Sequence, residues 1–479
     1  MEKKKLLIKI FFIFLVAYLV FGLNFNKKFY GFEYEDSFIN SHVASVEDIK
    51  EYTRRFRTLG CQEMLEGNCI SKYYHSGHYI SYSLYLHSVN KVFNVENFKV
   101  HKIANGFLFL LILFVLSFSI STKDFILFCL FFASCLPIIY VMNSSLIENL
   151  SFTLGIIFIL ISRKINTNKK ISSYTLLFLT LTLLCVVKRE NLIYLLLLPL
   201  VLSLNQLKSI KFFVFALFFL IIQIYINPFH TEIIESESIQ RSTFSIDYLQ
   251  YQLPVYLSSF LRFDGFLPIA IFIFILKKPN KKSLYILSVW FLFILIYSLH
   301  YRGQFSIDLK KINHFETFRY MFNTLPFLFG YFIYSKKISL EEGRFRKFIY
   351  ISLGLFSIFL ININFFKFEE FLIDENINYH AINDNINKHF NVRKDNISIY
   401  DNFELISMLN NERNHKVNIF SLNEASSFRS NDKILIINRF NIYNMDNLKS
   451  SYNIIHRSDL STESSSVYIL EEPKDYKNK

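Results

Sequence analysis

The sequence predicts an α-helical polytopic membrane protein of about eleven transmembrane helices, closed by a small C-terminal α/β domain. Three observations predict it. Of 479 residues, 52% are hydrophobic and 18% aromatic, and the mean hydropathy is +0.29. Apolar runs therefore recur too often, and are too long, for the core helices of a soluble protein. The cations gather in short connectors between those runs, and beyond residue 365 no spanning run occurs. A formal charge of +13 could point to nucleic acid. Its placement in the connectors is instead the pattern of topology signals and anionic-lipid contact, so membrane lipids are the expected partners and nucleic acid is set aside.

The elements follow in order. Met1-Glu2-Lys3-Lys4-Lys5 precedes the apolar run Leu6 to Leu23, and no small-x-small cleavage site follows. The run reads as an uncleaved first helix with its N-terminus in the cytoplasm. Further spans are expected at 102–120, 125–142, 146–162, 172–187, 191–205, 211–227, 264–276, 283–299, 318–334 and 347–364. The runs either side of Lys188-Arg189-Glu190-Asn191 could instead form a re-entrant pair. This scheme puts Arg163, Lys164, Lys169, Lys170, Lys208, Lys277, Lys278, Lys281, Lys282, Lys336, Lys337, Arg344, Arg346 and Lys347 inside, in agreement with the positive-inside rule.

Segments 24–101, 228–263 and 300–317 then face outward, as does everything after residue 365. The chain divides into a membrane domain, 1–365, and an extracytoplasmic α/β domain, 366–479, with short β-like runs at Ile397 to Tyr400, Val417 to Ser421, Lys433 to Ile437 and Ser466 to Leu470. Cys129, Cys135 and Cys185 lie in apolar runs and read as packing residues. Cys61 and Cys69 share the first outer loop, where a disulfide is as reasonable as two free thiols.

Candidate chemistry lies at the outer ends of the spans. Glu35-Asp36, with Glu33 close by, opens the long loop after the first span. Carboxylates beside a membrane are costly unless solvated, paired or used, so the pair is either a solvated turn or the working acids of a surface reaction. Tyr73-Tyr74-His75-Ser76-Gly77-His78-Tyr79 could line a sugar site or seat an interfacial belt; His75 and His78 have no third ligand for zinc. Lys188 and Arg189 lie on the side opposite the basic bias, where they pair with a neighbouring acid such as Glu190 or bind a phosphate. Glu148 begins a span and either caps it or pairs with Arg189. Arg319, beside Tyr320, would sit at a span's mouth to snorkel or to hold a phosphate.

Together these pieces resemble the GT-C class of integral-membrane glycosyltransferases, in the branch holding protein O-mannosyltransferases and lipid A aminoarabinose transferases. In that branch an Asp-Glu pair, followed by an aromatic and an Ala, opens the first outer loop. Tyr34-Glu35-Asp36-Ser37-Phe38-Ile39-Asn40-Ser41-His42-Val43-Ala44 matches in place and character, with the acids reversed. Of the later Arg-Tyr-x-x-Pro-x-x-Pro pattern, Arg319, Tyr320 and Pro326 fit, while Asn323 replaces the first Pro. Arg189-Glu190 approximates an Arg-Pro-Glu turn without the Pro.

The resemblance implies a sugar donor carried on a polyprenyl phosphate and a cell-envelope acceptor: a lipid such as lipopolysaccharide, a glycan or a protein. It also implies inverting transfer at the outer face of the cytoplasmic (inner) membrane. Asp36 or Glu35 would be the base; Arg319, Arg189 and Lys188 would hold the donor phosphate; Glu33, His75, His78, Tyr79, Tyr320 and Glu148 would line the substrate. A divalent metal at Glu33, Glu35 and Asp36 is compatible with the donor set but not required by it. The competing class is a lipid-linked glycan flippase or exporter without catalysis, which would be expected to show repeats and polar breaks at the bilayer midplane. An O-antigen-type polymerase is the third, and its large loop would normally come late in the chain.

Overall fold

The computed structural model describes residues 2–26, 60–65, 68–73, 80–95, 97–167, 171–202, 218, 245–299, 314–337, 347–368, 397–401, 417–421, 433–438, 452–460 and 465–473. The chain forms two compact units. The first comprises Met1–Asn26, Ser76–Tyr85 and His101–Phe368; the second comprises Lys27–His75, Leu86–Val100 and Glu369–Lys479.

The first unit is helical: α1 Glu2–Val20, α2 Ile80–Phe93 (whose last turns belong to the second unit), α3 Asn97–Ser119, α4 Thr122–Ser134, α5 Leu136–Asn143, α6 Glu148–Thr167 and α7 Ile171–Val187. After them come a 3-10 helix at Arg189–Leu200, then α8 Leu249–Ser258, α9 Leu267–Leu276, α10 Lys281–Leu299, α11 His314–Phe322, α12 Leu325–Tyr334 and α13 Lys347–Phe368. Among the described residues, four helices are long and apolar enough to cross a membrane: Lys3–Asn24, Lys99–Ser119, Lys281–Leu299 and Lys347–Phe368. The protein is thus a multi-pass membrane protein.

The expectation of eleven continuous spans is corrected at several places. The run 125–142 is broken into α4 and α5, which meet at 73°. Pro137 near the start of α5 cannot donate to the preceding turn, so the helix restarts there. The run 318–334 divides at Asn323–Thr324, and Pro326 opens α12 by the same device. In place of the start of the run 191–205 there is a 3-10 helix of 12 residues, Arg189–Leu200. At a rise of ~2.0 Å per residue such a segment covers about 24 Å, a large share of a bilayer core, which lets a short run reach far. The run 211–227 lies outside the described residues apart from Phe218.

Lipid offers little hydrophobic driving force between helices, so packing must come from shape and polar stitching. Phenylalanine provides the first. Phe132 meets Phe128, Phe329 and Phe152 at centroid distances of 4.6, 5.6 and 6.0 Å, joining α4, α12 and α6. Gly155 permits a close approach on α6: a Cβ there would lie 2.1 Å from the Tyr194 hydroxyl and 2.9 Å from Pro326. Gly155→Val is therefore expected to force α6 away from the 3-10 helix and α12. A drop in the thermal midpoint of the purified protein, about 1–3 kcal/mol of stability, checks it.

Polar stitching concentrates near Asn143. Its side chain donates to the Val20 carbonyl (2.7 Å) at the end of α1, while His101 of α3 donates to the Asn143 carbonyl (2.8 Å). Asn105 donates to the carbonyls of Met142 and Ser144 at 2.9 Å each, and accepts from the Tyr82 hydroxyl at 2.8 Å. Lys102 donates to the Asn24 carbonyl at 2.8 Å, meeting the negative end of the first helix. At the opposite end of α3, the Ser117 and Ile120 carbonyls accept from Lys9, and Ser119 accepts from Arg163. That gives a purpose to the lysine within the apolar run of the first helix.

In the second unit, β1 Gly60–Leu65 and β2 Asn68–Tyr73 form an antiparallel hairpin. Its register sets Cys61 opposite Lys72 and Cys69 opposite Met64. The side chains of Cys61 and Cys69, on which a disulfide would depend, lie outside the described residues. Beyond residue 396, β5 Ile397–Asp401, β6 Val417–Ser421, β7 Lys433–Asn438, β8 Tyr452–Leu460 and β9 Ser465–Pro473 form one sheet in the order β6-β5-β7-β9-β8. β5 pairs in parallel with β6 and β7, while β9 runs antiparallel to β7 and β8.

Candidate active site

Three of the residues singled out in the sequence converge. Glu148, the first residue of α6, is fully buried, and its Oε1 accepts from Lys188 Nζ and from Arg319 Nε, each at 2.9 Å. Lys188 follows the end of α7 and Arg319 lies on α11; they are 5% and 7% exposed. Glu148 therefore does more than cap its helix, one of the two readings the sequence left open. It bridges two cations that stand 40 and 171 residues away in the chain. Arg189 begins the 3-10 helix directly after Lys188, and its side chain lies outside the described residues.

Local structure holds each partner. The Asn149 side chain donates to the Val141 carbonyl (2.8 Å) and the Ser144 carbonyl (3.1 Å), closing the turn that presents Glu148. Asn191 does the same for Lys188. It accepts from Ser151 of α6 (2.8 Å) and donates to the Leu184 carbonyl (2.9 Å), while its own N–H donates to the Lys188 carbonyl (3.1 Å). Sequence reasoning passed over Asn149 and Asn191, although both stand inside stretches it had marked. An asparagine amide can satisfy a turn in hydrocarbon where no water can, and that is the signal it left.

Tyr320 forms one wall. The Lys188 ammonium lies 5.9 Å, and the Arg319 guanidinium carbon 5.6 Å, from its ring centre. The ring is in turn packed on Tyr297 at 5.7 Å and Tyr256 at 6.5 Å. Asn323, found where the family pattern has a proline, donates to the Tyr297 hydroxyl at 3.2 Å. The Glu190 carboxylate stands 3.9 Å from Lys188 and is partly exposed.

Burying these charges is expensive, and each is offset by an opposite one: Glu148 lies between Lys188 and Arg319, with Glu190 at the edge beside Lys188. A forked guanidinium beside an ammonium is the donor geometry that suits phosphate oxygens. Because Arg319 engages Glu148 through Nε, that bond also fixes the plane in which its terminal nitrogens lie.

Glu33, Glu35, Asp36, His75, His78 and Tyr79 lie outside the described residues. Among the described residues no group of three His, Cys, Asp or Glu side chains is placed to hold a metal.

This many-helix fold with broken spans has a solved structural counterpart. The chain matches the crystal structure of ArnT from Cupriavidus metallidurans bound to undecaprenyl phosphate, with a TM-score of 0.59 over 96% of this chain and 97% of that one. Sequence identity is 10%, so the likeness is one of fold. No protein-family model and no curated protein matches the sequence.

Proposed function

We propose that the protein is a glycosyltransferase that moves a sugar from a polyprenyl-phosphate donor to a cell-envelope acceptor at the outer face of the cytoplasmic membrane. The observation that carries this reading is the convergence of Lys188 and Arg319 on Glu148, in a fold shared with a structure that holds a polyprenyl phosphate. In this mechanism Lys188 and Arg319, with Arg189 beside them, take the donor phosphate. Asp36 or Glu35 removes the proton from the acceptor hydroxyl as its oxygen attacks the anomeric carbon. The bond from that carbon to the phosphate oxygen breaks, and the departing polyprenyl phosphate gains negative charge where the two cations wait. Attack opposite the leaving group inverts the anomeric centre. Tyr320 supplies the aromatic wall, and Glu33, His75, His78 and Tyr79 complete the substrate surface. The C-terminal region, 366–479, is assigned to the outer side, next to the acceptor.

The test compares envelope glycolipids, glycans and glycoproteins by mass spectrometry in cells lacking the gene, complemented with wild type or with Arg319→Ala. Wild type should restore one defined sugar. Arg319→Ala should leave kcat/KM for the donor lower by about 10²-fold, the loss expected when a charge-assisted phosphate contact is removed. An unmodified glycan accumulating inside the deletion strain, and released equally by both proteins, would instead assign transport. In favour of transfer, Glu148 opens α6 and Lys188 immediately precedes the 3-10 helix, so two of the three charges sit at helix ends.

A further inference from the structure

The helices α9 and α12 each run into a two-residue strand: β3 Lys277–Lys278 and β4 Lys336–Lys337. These pair antiparallel, setting Lys277 opposite Lys337 and Lys278 opposite Lys336. Every cross-strand pair in this ribbon is thus lysine facing lysine. Directly opposed like charges destabilise a ladder, and two rungs cannot hold themselves together. The ribbon is held by what lies behind it. Phe272 stacks on Phe332 at 5.0 Å, and the Asn280 side chain donates to the Tyr334 carbonyl.

The lysines then divide by environment. Lys277 is buried, its ammonium 4.1 Å from the Phe332 ring centre. Lys282 donates to the Asn166 side chain at 2.9 Å. Lys278, Lys281 and Lys336 are exposed, and among the described residues no carboxylate lies within ion-pair distance of them. Beside them the 19-residue helix α10 begins, its first turn closed by Ser283 N–H donating to Asn280 Oδ1 at 3.0 Å, so its positive end faces the same place. Just past the ribbon, Phe274, Ile275 and Leu284 present exposed apolar surface.

We propose that this lysine ribbon is a headgroup site for an anionic phospholipid. The lipid phosphate bridges Lys278 and Lys336 with Lys281 alongside, and the acyl chains cover Phe274, Ile275 and Leu284. The phosphate removes the repulsion that the pairing creates, and the apolar surface selects a lipid over a soluble anion. The inference does not depend on sugar transfer.

The experiment uses the full chain, purified in neutral detergent and titrated with phosphatidylglycerol or phosphatidylcholine, with bound lipid counted by native mass spectrometry. Wild type should retain phosphatidylglycerol preferentially. Lys278→Gln/Lys336→Gln should bind it about twenty-five-fold more weakly, at roughly fivefold per lysine, with phosphatidylcholine unaffected. Lys278→Arg/Lys336→Arg should keep the preference. In lipid-free detergent the glutamine variant should be at least as heat-stable as wild type, because it removes a repulsion. Equal phosphatidylglycerol retention by wild type and the glutamine variant would overturn the proposal, as would full displacement of the lipid by millimolar inorganic phosphate. So would a lipid-free loss of stability in the glutamine variant, the result expected if Glu341 and Glu342, outside the described residues, already neutralise the ribbon.

Discussion

Glu148→Gln should destabilise the membrane unit by about 3–5 kcal/mol, because it leaves Lys188 and Arg319 buried without the carboxylate they share. The substitution keeps the side chain's size and one acceptor oxygen while removing the charge, so lost packing does not explain the effect. The more telling result comes from the next step. Adding Lys188→Met and Arg319→Met to Glu148→Gln should recover most of the stability, since a buried ion cluster is costly to break yet cheap to replace by apolar side chains. The triple variant should fold and be inactive in donor binding. Chemical unfolding in detergent, with donor binding measured on the same samples, separates the two roles. If Glu148→Gln unfolds at the wild-type midpoint, the cluster is not the electrostatic unit described here.

Asp36→Asn is expected to lower transfer by about 10²–10⁴-fold, the usual contribution of a positioned general base, while donor binding stays near wild type. Glu35→Gln should have the smaller effect if Glu35 only orients a sugar hydroxyl, and the larger one if the roles are reversed. Adjacent carboxylates separate in proton affinity, so one is expected to carry the reaction. Both variants retaining full transfer at normal protein levels would remove the acidic pair from the mechanism. Transfer that fails on chelation and returns with Mg²⁺ would assign Glu33, Glu35 and Asp36 to a divalent cation instead.

The two expectations differ in what supports them. The acidic pair rests on position and motif order, because residues 27–59 lie outside the described residues. The cationic pair rests on geometry as well. Arg319 and Lys188 were legible as candidates because cations near the outer ends of apolar runs need a reason. Their common partner was not legible. Glu148 is 40 residues from one and 171 from the other, and a capping glutamate looks the same in sequence as a bridging one.

Secondary structure was readable where composition is uniform. The first helix, the run that became α10 and the last membrane helix each appear as long apolar stretches. The breaks were harder. Pro137 and Pro326 lie inside apolar runs, and hydropathy counts them as part of a span although each starts a new helix. The 3-10 helix at Arg189–Leu200 was invisible, since its leucines favour an α-helix. Strand β8 escaped for a different reason. His456, Arg457 and Asp459 interrupt its apolar pattern, and it pairs on one edge, with β9 alone.

What sequence by itself determined is the solvent: a chain this apolar, with its cations in the connectors, must put its runs in lipid. What only the tertiary structure decided is which polar groups meet. Charge pairing in a low-dielectric interior is set by distance in space, and helices 148–167, 171–187 and 314–322 had to pack before Glu148, Lys188 and Arg319 could become one cluster.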